Sequence, residues 1–173
     1  MDNYWNKNKL LGNITEDIVE FLINSMPDWR CNRFGVETHI NDIKDRVKNY
    51  TNPITLKIRK MPDFVAFNEK TREISFIEVK YSSNSKGDGW ILDSLEDYNK
   101  YWSGTKLIIV CEEEPYFVYV DLSKINQSMK KTKETYKGPK DFWDFGENEK
   151  SIKDLFPDLK EEDIEEAIKR IPK

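Results

Sequence analysis

The spacing of apolar residues along the chain predicts most of its elements. Ile14, Ile18 and Leu22, joined by Val19 and Ile23, recur at helical intervals, and Asn13 with Glu16 has the offset of a capping box. A first helix is therefore expected from about Asn13 to Met26-Pro27. Trp29 to Val36 reads as a short strand, and Ile40, Ile43, Val47 and Tyr50 as a helical excursion. Ile54, Leu56 and Ile58 alternate with Thr55, Lys57 and Arg59, the period of a half-buried strand. PDFVAF (62–67), a turn over Asn68 to Arg72 and EISFIEVKY (73–81) then form a hairpin.

After the loop SSNSKGDG, Ile91, Leu95, Tyr98 and Trp102 predict a helix over about 90–103. KLIIVCE (106–112) is a continuous apolar run of the kind found at a sheet centre, with PYFVYVDL pairing beside it. Asp158 is expected to cap a last amphipathic helix with Ile164, Ala167, Ile168 and Ile171 on one face. This order describes an α/β fold, a mixed central sheet flanked by helices. There is no repeat and no Gly/Ser- or Pro-rich linker. Residues 1–123 read as a core domain, and 124–173 as a Lys-rich segment and an acidic helical appendage packed on the core. Phe142, Trp143 and Phe145 are its expected anchor, rather than a binding cage.

Composition narrows the chemistry. A chain of 173 residues can bury roughly 70% of its unfolded surface without staples. Cys31 and Cys111 stand 80 positions apart, outside any CxxC or Cys/His cluster, which disfavours zinc sites and a disulfide framework. With His39 as the single histidine, mechanisms needing two imidazoles are excluded and no role is assigned to it. No apolar run reaches the roughly 18 residues of a membrane span, and no secretion signal opens the chain, so a cytoplasmic protein without membrane contact is expected. The net charge of −4 hides strong local fields. Residues 44–60 hold six Lys+Arg against Asp45, a local +5, and 124–140 hold six Lys against Glu134, again +5. Residues 141–173 hold eleven acids and six bases, a local −5. A polyanion can therefore bind away from the C-terminal end.

The most informative signal is Pro62-Asp63 followed, across the hairpin, by Glu78-Val79-Lys80. Alternation puts Glu78 and Lys80 on one face, and the neighbouring strand brings Asp63 alongside. Two adjacent carboxylates repel each other, and a divalent cation with a preference for oxygen, Mg²⁺ or Mn²⁺, relieves that repulsion. Lys80 can hold or help deprotonate an attacking water and offset charge on a pentacovalent phosphate. The plain alternative is a strand entry at Asp63 and a surface ion pair between Glu78 and Lys80. That alternative fits poorly beside Phe76, Ile77 and Val79.

From about Gly12 to Val110 the chain resembles the PD-(D/E)xK, restriction-endonuclease-like nuclease superfamily, in the triplet and in the order of elements around it. Gly12-Asn13-Ile14-Thr15-Glu16 resembles the GxxxE opening of archaeal Holliday-junction resolvases, and 36–60 reads as an insertion. The resemblance implies a restriction-endonuclease-like core and a metal-dependent endonuclease, with DNA ahead of RNA as substrate. It implies metal ligation by Asp63, Glu78, the Val79 carbonyl and Glu16, with Lys80 on the water. Glu20 is the substitute if Glu16 is only a capping residue. Tyr98, or its neighbours Glu96 and Asn99, stands where many members carry an assisting Gln or Lys. Arg30, Arg33, Lys57, Arg59, Lys60, Lys86 and Tyr98 are the expected nucleic-acid contacts, with Trp29, Tyr81 and Trp90 available for stacking. Lys86 lies in a loop with Gly87 and Gly89 that is equally a plain turn. Cutting both strands of a duplex calls for two sites, which a homodimer would supply. The rival readings are a catalytically silent binding module of the same fold, an adaptor using the acidic C-terminal helix, and an RNA-cleaving toxin or defence effector.

Overall fold

The structure is a computed structural model, and it describes residues 2–35, 50–83, 89–92, 95–135 and 138–172, with the side chains from residue 9 onward. Among the described residues the order is α1 (Asp2–Ser25), β1 (Trp29–Arg33), α2 (Pro53–Arg59), β2 (Phe64–Asn68), β3 (Ile74–Ser82), β4 (Trp90–Ile91), α3 (Leu95–Tyr101), β5 (Lys106–Cys111), β6 (Phe117–Asp121), β7 (Lys130–Thr135), β8 (Gly138–Trp143), β9 (Lys150–Ser151), α4 (Ile152–Leu155) and α5 (Glu161–Lys169). The chain is thus mixed α/β, with a mixed main sheet.

The main sheet has the order β1-β2-β3-β5-β6-β9. Its β3–β5 pair is parallel and the other neighbours are antiparallel. The parallel step follows from the connection, because the segment containing α3 carries the chain back across one face before β5 begins. Strand alternation divides the core. Phe64, Ala66, Ile77, Val79, Ile108 and Val110 face α1 and the C-terminal helices, meeting Ile18, Leu22 and Ile23. Leu107, Ile109, Val118 and Val120 face Leu95 and Tyr98 of α3 together with Trp90, Trp143 and Phe145. Residues Leu107 to Cys111 are buried on both faces, as their unbroken apolar run predicts.

Several elements differ from the sequence expectation. The first helix begins at Asp2 instead of Asn13, which is an exposed mid-helix residue, so Glu16 is not a capping-box glutamate. No proline interrupts residues 2–12, and Gly12 sits in the helix facing open space. Residues 53–59 form a helix and not a strand: Asn52 caps it by accepting the Thr55 N–H at 3.0 Å, and Pro53 supplies its first turn. Alternation failed there because Ile54 is 73% exposed. The predicted helix over 90–103 is confined to Leu95–Tyr101, because Trp90-Ile91 pairs with Phe142 and Trp143 of β8. Gly89, at φ +98°, permits that pairing, since a Cβ there would stand 2.4 Å from the Trp143 carbonyl oxygen. The last helix is preceded by Lys160 and not Asp158. Ile40, Ile43, Val47 and His39 lie outside the described residues, as do Val36, Lys86 and Gly87.

The C-terminal 50 residues are interleaved with the rest. The Lys-rich stretch forms the β7–β8 hairpin, which with β4 makes a second sheet of three strands, and β9 extends the main sheet at β6. Trp143 is fully buried and donates its indole N–H to the Leu92 carbonyl at 3.0 Å. Phe142, Trp143 and Phe145 are thus packing residues. The amphipathic face of α5 buries Ala167, with Ile171 following it into the same core.

Two stability outcomes follow. Leu22→Ala, in the α1 core, should cost about 2–5 kcal/mol in urea unfolding, whereas Ile54→Ser should change stability by only about 0.5 kcal/mol. Burial works against the Asp121 carboxylate, but Lys106 at 2.7 Å and the hydrogen bonds from Ser123 outweigh it and hold its pKa below the usual value. A carboxylate depressed on folding stabilises above its unfolded pKa, and that contribution is lost as pH falls through the folded value. Asp121→Asn should therefore lower the Tm at neutral pH, with the gap to wild type closing as the buffer is taken to acid pH.

Candidate active site

Alternation along β3 places Phe76, Glu78 and Lys80 on the face toward α3, while Ile77 and Val79 pack under α1. The β2–β3 ladder has Phe64 opposite Ile77, so Asp63 stands one step beyond it, opposite Glu78. There the Asp63 carboxylate accepts the Val79 N–H at 2.8 Å, and its backbone carbonyl accepts the N–H groups of Phe34 and Gly35 at 2.7 and 3.3 Å. The end of β1 and the start of β2 thereby hold Asp63 against the centre of β3. Glu78 is 1% exposed. Lys80 Nζ donates to Glu78 Oε1, while Glu78 Oε2 is buried without a hydrogen-bond partner of good geometry. The Tyr98 hydroxyl faces the same carboxylate from α3.

The electrostatics follow from this crowding. Burial, and then the charge of Glu78, pushes the Asp63 pKa well above its ordinary value, and Lys80 and the Val79 N–H offset only part of that. Burial also opposes charge on Lys80, but Glu78 and Asp63 prevail and raise its pKa, keeping it an ammonium. Burial and Glu78 raise the Tyr98 hydroxyl far above its usual value, so it stays a neutral donor. Glu16, on α1, is raised chiefly by burial and partly by Glu78, and Arg33 counteracts this. The site holds more carboxylates than the charge of Lys80 can balance.

Glu16 does not stand free beside the pair. Arg33, at the end of β1, donates to Glu16 and Glu20 at 2.9 Å each and also pairs with Asp17, gathering three carboxylates of one α1 turn. Among the described residues, no group of three or more His, Cys, Asp or Glu side chains is gathered as a metal-holding cluster. What the fold brings together is Asp63, Glu78 and Lys80, with Tyr98 behind them and Glu16 within electrostatic reach.

The expected nucleic-acid contacts are scattered. Arg30 lies opposite Phe67, toward the other end of β1 from Asp63, and bonds the carbonyls of Pro27 and Trp29 while pairing with Glu69. Lys60 pairs with Asp97 at 3.4 Å, Lys57 lies over the Trp102 ring, and Arg59 is exposed on α2. Lys86 is outside the described residues. Trp29 and Trp90 are 4% and 2% exposed, and both belong to the core; Tyr81 donates its hydroxyl to Glu112. The half-buried rings beside the acids are instead Phe34, Phe76 and Trp102. Period-two spacing from Glu78 could have found Phe76, and helical spacing from Tyr98 could have found Trp102. No local pattern marks Arg33 as the partner of α1.

No protein-family model matches this chain, and no curated protein is similar to it. The described residues contain no helix long and apolar enough to cross a membrane.

The strain at Asp63 has a measurable consequence. Its folded pKa lies above the unfolded one, so its ionisation costs stability as pH rises past the ordinary carboxylate range. Asn can still accept the Val79 N–H without carrying charge. Asp63→Asn should therefore raise the Tm at neutral pH in metal-free buffer; a lowered Tm would contradict the repulsion described here.

Proposed function

We propose that the protein is a divalent-metal-dependent nuclease of restriction-endonuclease-like fold that hydrolyses phosphodiester bonds in DNA, using Mg²⁺ or Mn²⁺. The observation that carries this reading is the buried Glu78 carboxylate, with one oxygen unpartnered, directly opposite a second, half-buried carboxylate, Asp63. Desolvated like charges are costly, and hard oxygen donors of this kind suit a small divalent cation. The order of helix, three antiparallel strands, crossover helix and parallel strand also agrees with the resemblance in the sequence.

In this reading Asp63, Glu78 and the Val79 carbonyl would hold the ion, and Glu16 would supply a further acid from α1 on exchanging its bond to Arg33. These ligands would present a cation whose chemistry, when bound, would be to polarise a phosphate oxygen and make a water more acidic. Lys80, kept protonated by Asp63 and Glu78, orients the attacking water and offsets negative charge developing on the phosphate. Tyr98, buried on α3, faces Glu78 as a neutral hydroxyl that adds no charge to the acids. A catalytically silent module of the same fold is favoured by one feature, the Lys80–Glu78 pair, which occupies one of the carboxylate oxygens.

A cleavage assay on labelled single-stranded, branched and duplex DNA and structured RNA, with Mg²⁺, Mn²⁺ or EDTA, separates the two. Metal-dependent cutting should fall by about 100-fold or more in Glu78→Ala and Lys80→Ala, both still folded by circular dichroism. Undiminished cutting in either variant would remove these residues from the reaction. No cutting by folded wild-type protein in any lane would favour the silent module.

A further inference from the structure

The rings of Phe34, Phe76 and Trp102 form a closed triangle, with centroids 5.6, 5.3 and 5.4 Å apart. All three are half-buried, unlike the core tryptophans. Each is one structural step from the acids. Phe76 precedes Glu78 by two residues on the same face of β3, about 7 Å along the strand. Trp102 follows Tyr98 by one helical turn, its N–H bonded to the Tyr98 carbonyl at 2.7 Å, and Tyr98 faces Glu78. Phe34 donates its N–H to the Asp63 carbonyl.

One cation, Lys57, borders this triangle. α2 carries Lys57 and Arg59 in its last turn and no acid in its first. The Trp102 indole donates to the Lys57 carbonyl at 2.9 Å, while Lys57 Nζ stands 5.1 Å above the same ring. The exposed Lys57 thus holds its ammonium over an electron-rich ring face at the solvent edge of the triangle.

We propose that Phe34, Phe76 and Trp102 form a stacking subsite for an unpaired nucleobase next to the scissile phosphate, with Lys57 on the adjoining backbone. The inference rests on the nuclease reading and specifies its substrate as DNA with an unpaired base at the cut: a single strand, a flap or a branch, in preference to a blunt duplex. Phe76 and Glu78 are two residues apart on one face of β3, about 7 Å along the backbone, so in this proposal the stacked base and the phosphate at the acids belong to neighbouring positions. A base paired within a duplex cannot offer its face to these rings without being unstacked.

The test is binding in EDTA, where cleavage plays no part, read by fluorescence anisotropy of a labelled oligothymidylate and of a blunt duplex of equal length. Wild type should prefer the single strand. Phe34→Leu and Trp102→Leu should each weaken single-strand binding by about tenfold and leave duplex binding unchanged. Trp102→Phe, which keeps an aromatic face, should retain most of the affinity. Thermal unfolding identifies any Leu variant that fails to fold, and the exposed Lys57→Glu then carries the test, with the same selective loss expected. Equal affinity of the variants and wild type for the single strand, or a wild-type preference for the duplex, would overturn the subsite. Cleavage without single-strand preference removes the subsite and leaves the nuclease reading standing. No binding to either DNA removes the subsite, while the nuclease reading stands or falls with the metal-dependent cleavage assay.

Discussion

The structure around the candidate site depends on one electrostatic constraint: Asp63 and the buried Glu78 face each other across adjacent strands, with Lys80 as the nearest compensating charge. Burial alone would favour a neutral Asp63, and the neighbouring carboxylate strengthens that tendency. Such an arrangement stores repulsion unless something cationic joins it. Folding of the surrounding layers keeps it in place: Ile77 and Val79 lock β3 under α1, and Leu107 and Ile109 lock the parallel neighbour under α3. The backbone positions of the acids, in β3 and at the mouth of β2, are set by the hairpin register.

This constraint gives the nearby helices their separate tasks. From one face α1 brings Glu16, Asp17 and Glu20, and Arg33 restrains all three, so the acids of α1 are orderly without being merged with the central pair. From the other face α3 brings Tyr98 to Glu78 and Trp102 to Phe76. A short, partly exposed α2, tied down through Trp102 and the Lys60–Asp97 pair, edges the same region with positive charge. An acid centre, an aromatic shelf and a basic border thus adjoin on one side of the sheet.

Much of this was legible in the sequence where one periodicity dominates. The hairpin from Phe64 to Ser82 and the buried run Leu107 to Cys111 follow their patterns, and the same-face pairing of Glu78 and Lys80 with Asp63 across from them comes directly from period two. Where two signals compete, the reading failed. At 53–59 alternation of apolar residues suggested a strand, but the Asn52 cap and Pro53 made a helix with Ile54 in solvent. At Trp90 a helical spacing was overridden by pairing with Trp143, fifty-odd residues downstream, which no local window contains. The β7–β8 hairpin escaped notice because its strands are mostly polar: β7 is exposed along nearly its whole length. Arg33 and Trp29 illustrate the same limit at the level of side chains. An arginine near an acid-bearing strand reads as a phosphate contact until α1 is folded against it, and a tryptophan reads as a stacking surface until Phe156 packs edge-on to it at 5.0 Å.

The central claim is that the opposed carboxylates exist to hold a divalent cation. Its most direct measurement is isothermal titration of Mn²⁺ into chelator-stripped wild-type protein and into Asp63→Asn. Saturable uptake by wild type, lost in the variant while the variant stays folded, is the expected result. No uptake by wild type, or uptake unchanged in Asp63→Asn, would contradict the claim.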